Sequence, residues 1–345
     1  MISGNRKVPL VARRIFRVSL TAALTLAIAY GAAFPIPFIA PLFALVLALM
    51  PAPPMGLKGL LGLVLVMLLT LGVGLLITPL LQHYPLAGIL TVLLGLYAST
   101  YISVSRGKGL VGTLLTVGLT IIPTAGIYSF ALAVAVIQAL VLGMGLAILC
   151  LWIVYPFFPE DPGETVAEAV HESPANANWI ALRVALIVLP PLLFALTNPL
   201  VYLKLIMKSV LLGQQGSVVS ARSAGRELLG STFVAGIAAV LFWSLLKLWP
   251  SLWMFFLWML LFTTYFASKI FGVIASRYTP SFWQNVAVTM LILLGSAVQD
   301  SANGDDVYSA FATRMGLFIA VTLYAWGAVS ALETWRNRRM ARHAY

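Results

Sequence analysis

Long apolar runs follow one another along nearly the whole chain, separated by short polar or Pro- and Gly-containing breaks. A helix needs about 20 apolar residues to cross the hydrocarbon core of a bilayer, and most of the runs approach that length. The pattern predicts twelve transmembrane helices, at 16–33, 36–50, 59–80, 86–104, 109–127, 129–154, 180–196, 199–213, 228–247, 251–272, 283–298 and 308–332. The predicted fold class is therefore an all-α integral membrane protein.

Short sequence motifs recur in the two halves at an offset of 164 to 169 residues. The matched pairs are Gly56–Gly62 with Gly225–Gly230, Tyr84-Pro85 with Trp249-Pro250, Ala98–Tyr101 with Thr263–Tyr265, and Phe16-Arg17-Val18 with Leu182-Arg183-Val184. A constant offset indicates duplication, which is a common origin of membrane transporters. Because each half has an even number of spans, six, both halves have the same orientation in the membrane. The prediction is two parallel six-helix repeats related by an axis along the membrane normal.

The domain boundaries follow from this duplication. We predict a first repeat at 1–155, an acidic cytoplasmic linker at 156–178, a second repeat at 179–335 and a basic cytoplasmic tail at 336–345. The linker contains five acidic residues and is the only polar stretch of any length, so it is predicted to be solvated. A regulatory or docking role for it is left open.

Composition and charge support a membrane protein and exclude a soluble one. Charged residues make up 9% of the chain and apolar residues 61%, against about 25% charged residues in soluble domains. The net charge of +11 comes from basic residues in short clusters between apolar runs, which does not predict nucleic-acid binding. With twelve spans, nearly all basic residues outside the spans fall on the inner side and only Lys247 falls on the outer side. This bias predicts cytoplasmic termini.

The motifs of nucleotide hydrolysis and metal binding are missing from the sequence. It has no phosphate-binding Gly-Lys-Ser/Thr motif and no metal-ligand spacing, and His83, His171 and His343 lie in predicted loops or the tail. An ATPase is excluded, and we predict neither an enzyme nor a cofactor.

Three basic residues qualify as ionisable side chains at membrane depth, where they are costly to place and where a functional role is the first hypothesis. Lys204 and Lys208 lie four residues apart, on one helix face, and Arg314 lies two turns into the last span. We expect them to line a polar cavity that binds an anion, with snorkelling to an interface as the alternative. All three belong to the second half only, so an anion site would break the symmetry of the repeat.

Polar aromatic and hydroxyl residues occupy matching places in spans four and ten. Tyr101, Tyr265 and Thr264 are predicted to offer aromatic faces and a hydroxyl to the substrate, and interfacial anchoring is the alternative.

Residues near the predicted inner face complete the candidate set. Arg17, Arg183, Lys58 and Arg226 either gather anions at an inner mouth or anchor the helices by the positive-inside bias. Two acids are candidates for proton coupling: Glu227, which is alternatively the ion-pair partner of Arg226, and Asp300, which is expected with Asp305 and Asp306 in an outer loop.

An Arg-bearing first helix, a short second span and a third span that opens on a basic residue before Leu-Leu-Gly resemble the fusaric acid resistance and aromatic acid exporter superfamily. Arg314-Met315-Gly316 is similar to that family's last-span motif. The resemblance implies an exporter of aromatic carboxylates in a bacterial inner membrane, with a periplasmic membrane fusion protein as partner. The chain departs from the large members of this family because only the acidic linker stands where they carry a soluble domain.

The resulting functional hypothesis is an exporter of small organic anions, driven by the proton motive force. Aromatic carboxylates are the expected substrate class, and the lipid bilayer is the expected surroundings. Two alternatives remain: a passive anion channel of the malate-transporter type, and a membrane assembly subunit that transports nothing. The oligomeric state, including a homo-oligomer, is left open.

Overall fold

The computed structural model describes residues 8–107, 109–161, 174–198, 221–304 and 306–343. Over these ranges the chain forms eleven α-helices and no strand. They are α1 Leu10–Gly31, α2 Ile39–Leu49, α3 Leu57–His83, α4 Pro85–Ser105, α5 Gly109–Tyr128, α6 Phe130–Val154, α7 Pro174–Thr197, α8 Ala221–Leu248, α9 Leu252–Ile270, α10 Pro280–Asn303 and α11 Val307–His343.

The helices fall where the apolar runs predict them, so the all-helical class is confirmed. Nine of the described helices, α3 to α11, are long and apolar enough to cross a membrane. The other two are α1, with three arginines in its first half, and α2, which has only 11 residues. The predicted span at 199–213, with Lys204 and Lys208, lies outside the described residues.

Local signals explain several helix ends. α4 and α10 begin at Pro85 and Pro280, because proline at the first helical position loses no hydrogen bond that the helix would have made. α9 begins where the Ser251 hydroxyl accepts a hydrogen bond from the Met254 amide at 3.2 Å. α10 ends at Gly304, whose φ of 80° lies in the left-handed region that glycine adopts without strain.

The described residues group into two compact units. The first unit contains residues of Met1–Leu61, Ala139–Glu168 and Ala235–Asp305. Within it α1 packs on α2 and α9, and α10 packs on α9 and α2.

The second unit contains the described residues of Gly62–Gln138, Ala169–Val234 and Asp306–Tyr345. Within it α4 packs on α5 and α7, and α7 also contacts α5 and α11. Each unit therefore takes helices from both halves of the sequence.

Candidate functional site

α10 is the most deeply buried of the candidate spans. Within its most apolar 18-residue window, 83% of the residues are buried inside the chain, whereas the corresponding share is 28% for α3 and for α11. A span with this burial is surrounded by protein. Polar groups on it therefore face other side chains, and they must be satisfied there.

One face of α10 is polar along most of the helix. Asn285, Thr289, Ser296 and Asp300 are all buried, with at most 6% of each residue exposed. Their spacing places them within about 60° of one another around the helix axis. The Ser296 hydroxyl donates to the Ile292 carbonyl at 2.8 Å. Buried polar and ionisable groups in a span are expensive to keep, so this polar face is the first candidate for function.

Asp300 corrects one expectation from the sequence. It was expected in an outer loop, but it lies in the last turn of α10 and is 6% exposed. The helix continues five residues past the predicted end at 298 and stops only where Gly304 takes a positive φ. Asp306 does lie between helices, where its carboxylate accepts hydrogen bonds from the amides of Tyr308 and Ser309 at the start of α11. Asp305 lies outside the described residues.

A second buried polar face lies on α5, in the other unit. Thr116, Thr120 and Thr124 follow one another at four-residue spacing, and each hydroxyl donates to the carbonyl oxygen four residues earlier. The Thr116 hydroxyl also lies 2.9 Å from the hydroxyl of Ser99 on α4. α5 is the second most buried candidate span, at 67%. The four-residue spacing of hydroxyl and amide residues within apolar runs is the sequence signal that could have identified both faces.

Arg17, a predicted inner-mouth residue, is buried. Its side chain is 1% exposed, and its guanidinium forms an ion pair with Glu160, whose side chain is 8% exposed. Arg14 donates a second charged hydrogen bond to Glu160 at 2.8 Å. The Arg17 guanidinium also lies 5.7 Å from the centre of the Tyr155 ring. The start of the predicted solvated linker is therefore partly buried, because it covers the arginines of α1.

The electrostatics at Glu160 follow from these contacts. Burial raises the pKa of its carboxyl, but the hydrogen bonds and positive charges of Arg14 and Arg17 outweigh burial. The pKa consequently lies below its ordinary value. Arg13 extends the cluster through an ion pair with Asp161 at 2.7 Å, and Asp161 is 53% exposed.

Arg183 has a comparable environment in the second unit. It is 5% exposed and pairs with Glu333 of α11 at 2.8 Å. Beside this pair the rings of Trp179 and Trp335 stack at 6.1 Å. Arg336 donates to the Asn176 side chain at 2.7 Å, with its guanidinium 5.5 Å from the centre of the Trp179 ring. The ion pair and the aromatic contacts join the first and last helices of the second half.

The predicted aromatic residues lie in different units. Tyr101 is half-buried in α4 and stacks on Tyr97 at 6.4 Å, and the Tyr97 hydroxyl donates to Asn178 of α7 at 2.8 Å. Tyr265 on α9 is 46% exposed, and the Lys269 ammonium lies 5.7 Å from the centre of its ring. The Thr264 hydroxyl donates to the Leu260 carbonyl of its own helix.

The remaining predicted residues can be placed by burial only. Arg314 is half-buried on α11, Glu227 is half-buried on α8, and Lys58 is exposed at the start of α3. Arg226 belongs to α8, but its side chain lies outside the described part of the structure. Among the described residues, no three His, Cys, Asp or Glu side chains cluster closely enough to hold a metal ion.

Comparison with known proteins gives one match. Residues 14–154 match a family model described as a protein of unknown function (DUF2955). The matched range runs from within α1 to the last residue of α6. The chain matches no curated protein and no solved structure. Together with the nine apolar helices, the match identifies the chain as a helical, multi-pass membrane protein of a kind compatible with a transporter.

Replacement of Glu160 by glutamine should destabilise the protein by about 3 kcal/mol, because Arg17 would stay buried without a countercharge. The matched control is Asp161→Asn, at the exposed neighbour, where we expect at most about 1 kcal/mol. Thermal unfolding in detergent, followed by size-exclusion chromatography, measures both. Equal melting of the two variants would contradict the role given to the Arg17–Glu160 pair.

The same pair also predicts a pH dependence of stability. Since folding lowers the pKa of Glu160, its stabilising contribution is complete above the unfolded carboxyl pKa of about 4.3. The contribution is lost as the pH falls below that value through the lower folded-state pKa. The wild type should therefore lose its stability advantage over Glu160→Gln in this acidic range.

Proposed function

We propose that this protein is a proton-linked exporter of small organic anions in a bacterial inner membrane. The observation that carries the proposal is the buried polar face of α10, which ends on the carboxylate of Asp300. An acid, an amide and two hydroxyls on the most buried span are costly to keep there, which favours a functional role over a purely structural one. Such groups at membrane depth are typical of ion and proton pathways.

The packing of the helices supports a duplicated transporter architecture. α1 packs on α9 in the first unit, and α7 packs on α4 in the second. The repeat offset relates α1 to α7 and α4 to α9, so the two contacts are equivalent under the duplication. The family match to residues 14–154 covers one six-helix repeat. Two parallel six-helix repeats are a common transporter design.

The basic residues favour an anionic substrate. The chain has a net charge of +11, and Lys204, Lys208 and Arg314 all lie in predicted spans of the second half. In our proposal these three bind the anion, and Tyr101, which belongs to the same unit as Arg314, offers an aromatic face. We assign Arg17 and Arg183 a structural role instead of a role in anion binding, because each is buried against a glutamate. Lys58 and Arg226 remain the basic residues of the inner mouth.

Asp300 is the proposed proton site, with Glu227 as the second candidate. A buried carboxylate is costly to keep charged, so binding a proton changes the relative stability of the conformations in which it is buried or hydrated. A transporter can use this difference to couple proton movement to the movement of an anion.

Replacement of Asp300 by asparagine should abolish uphill transport but leave downhill exchange, because the amide keeps the shape of the side chain and cannot bind a proton. The measurement is the flux of radiolabelled benzoate in proteoliposomes with an imposed pH gradient, after subtraction of the flux that neutral benzoic acid carries through protein-free liposomes under the same gradient. The exposed Asp306→Asn is the matched control and should transport like the wild type. If Asp300→Asn still accumulates benzoate against its gradient, Asp300 is not the coupling site.

The same assay separates the two alternatives. An exporter coupled to protons loses net flux when the pH gradient is collapsed, whereas a passive anion channel continues to conduct. Proteoliposomes that contain only an assembly subunit show the same benzoate flux as protein-free liposomes.

The cationic residues give a further prediction. Lys204→Ala and Arg314→Ala should each reduce benzoate transport, because each removes a positive charge from the proposed pathway, while membrane insertion is retained. Lys247→Ala, which removes a charge at the end of α8, is the control. Normal export by both pathway variants would contradict a cationic pathway.

A further inference from the structure

An apolar cavity of about 370 Å³ lies between α7 and α11 in the second unit. Pro190, Pro191 and Phe194 line it on α7, and Leu317, Val321 and Tyr324 line it on α11. Its volume falls in the range of about 300–1,000 Å³ that is usual for organic ligand pockets. None of these six residues belongs to the predicted substrate site.

The two consecutive prolines explain how the pocket arises. Proline has no amide hydrogen, so Pro190 and Pro191 leave the carbonyls of Leu186 and Ile187 without their usual helical partners. The Tyr324 hydroxyl donates to the Leu186 carbonyl at 3.3 Å, across the gap between the two helices. A side chain of α11 therefore replaces one of the backbone hydrogen bonds that the prolines remove from α7, and this contact forms part of the pocket wall.

The pocket belongs to the second half alone. At the repeat offset of 166 residues, Pro190 and Pro191 correspond to Leu24 and Thr25 of α1. α1 has no proline pair at these positions, and Thr25 contacts the Cys150 thiol of α6. Lys204, Lys208 and Arg314 share this asymmetry, since they also occur only in the second half.

The pocket walls specify the chemistry of a ligand. They are hydrocarbon apart from the Tyr324 hydroxyl, so a second carboxylate of a dicarboxylate ligand would be buried without a partner. Arg314 lies on the same face of α11 as Leu317, Val321 and Tyr324, one turn before Leu317. A matching ligand has an apolar body for the pocket and one negative charge at the end near Arg314.

The pocket is open to the surroundings of the span. Phe194 is 60% exposed although it lies within a candidate span, and an exposed apolar ring at membrane depth is expected to face hydrocarbon. The lining on α11 extends over about 10 Å, whereas one leaflet provides about 15 Å of hydrocarbon. A phospholipid acyl chain would overrun the pocket, but a compact ring system fits it.

We propose that this pocket binds the apolar body of an amphipathic organic monoanion that reaches it from the lipid. The proposal rests on the function given above and adds to it the location of the substrate body, selection against dicarboxylates, and a lateral route of entry.

The test is direct binding of 2-naphthoate to the full-length protein in phospholipid nanodiscs. Ala320 lines the pocket and is exposed, so Ala320→Trp fills the space without disturbing a packed core. This variant should weaken naphthoate binding by about tenfold or more. Ala331→Trp is the matched control, at an exposed alanine of the same helix outside the pocket, and should bind like the wild type.

A second variant tests the charge. Arg314→Gln should weaken naphthoate binding by about 10- to 100-fold, the usual effect of losing a charge-assisted hydrogen bond. Binding of the neutral analogue naphthalene-2-carboxamide should be unchanged. Malate should not compete with naphthoate at this pocket.

Two outcomes would overturn the proposal: unchanged naphthoate binding by Ala320→Trp, or competition by malate equal to that by naphthoate itself. If Ala320→Trp instead reduces the number of phospholipids that copurify and naphthoate does not compete with them, the occupant is a lipid. These results are independent of the proposed function, because benzoate flux and its dependence on Asp300 are measured separately.

Discussion

The buried ion pair between Arg17 and Glu160 is the contact on which much of the first unit depends. A guanidinium with 1% exposure is tolerable only next to a carboxylate, so the chain after α6 must return to α1. Arg183 and Glu333 impose the same condition in the second unit. In both halves an arginine of the first helix meets a glutamate just beyond the last predicted span. Each pair joins the beginning of its half to the end, so the charges of these arginines stabilise the fold.

Because these arginines are neutralised, other groups must carry the chemistry of the proposed transport. The polar faces of α5 and α10 lie on the two most buried candidate spans, one in each unit. The faces differ in kind, since α5 presents hydroxyls that are satisfied within their own helix and α10 adds an amide and a carboxylate. The proline-bounded pocket and Arg314 also belong to the second half. Under the proposed duplication, the two halves share a scaffold, and the candidate functional groups lie mostly in the second half.

The sequence predicted the helices well because apolar length, proline and glycine are local signals. It did not predict the burial of Glu160, because the arginine partners lie more than 140 residues earlier in the chain. It placed Asp300 in a loop, because the apolar run ends before the helix does and the helix stops only at Gly304. The polar residues of α5 and α10 recur at four-residue spacing in the sequence, but the apolar residues around them obscured this pattern. The pocket could not be predicted, since it depends on the contact between α7 and α11.

The most direct test of a proton-coupled pathway is the voltage at which the benzoate-dependent current reverses in proteoliposomes, because neutral benzoic acid that diffuses through the lipid carries no current. The membrane potential is set with potassium and valinomycin, and the benzoate gradient is held constant while a pH gradient is imposed. If proton and anion movement are coupled, the reversal voltage shifts away from the equilibrium potential of benzoate when the pH gradient is present. A reversal voltage that stays at the benzoate equilibrium potential at every pH gradient would contradict proton coupling and identify a channel.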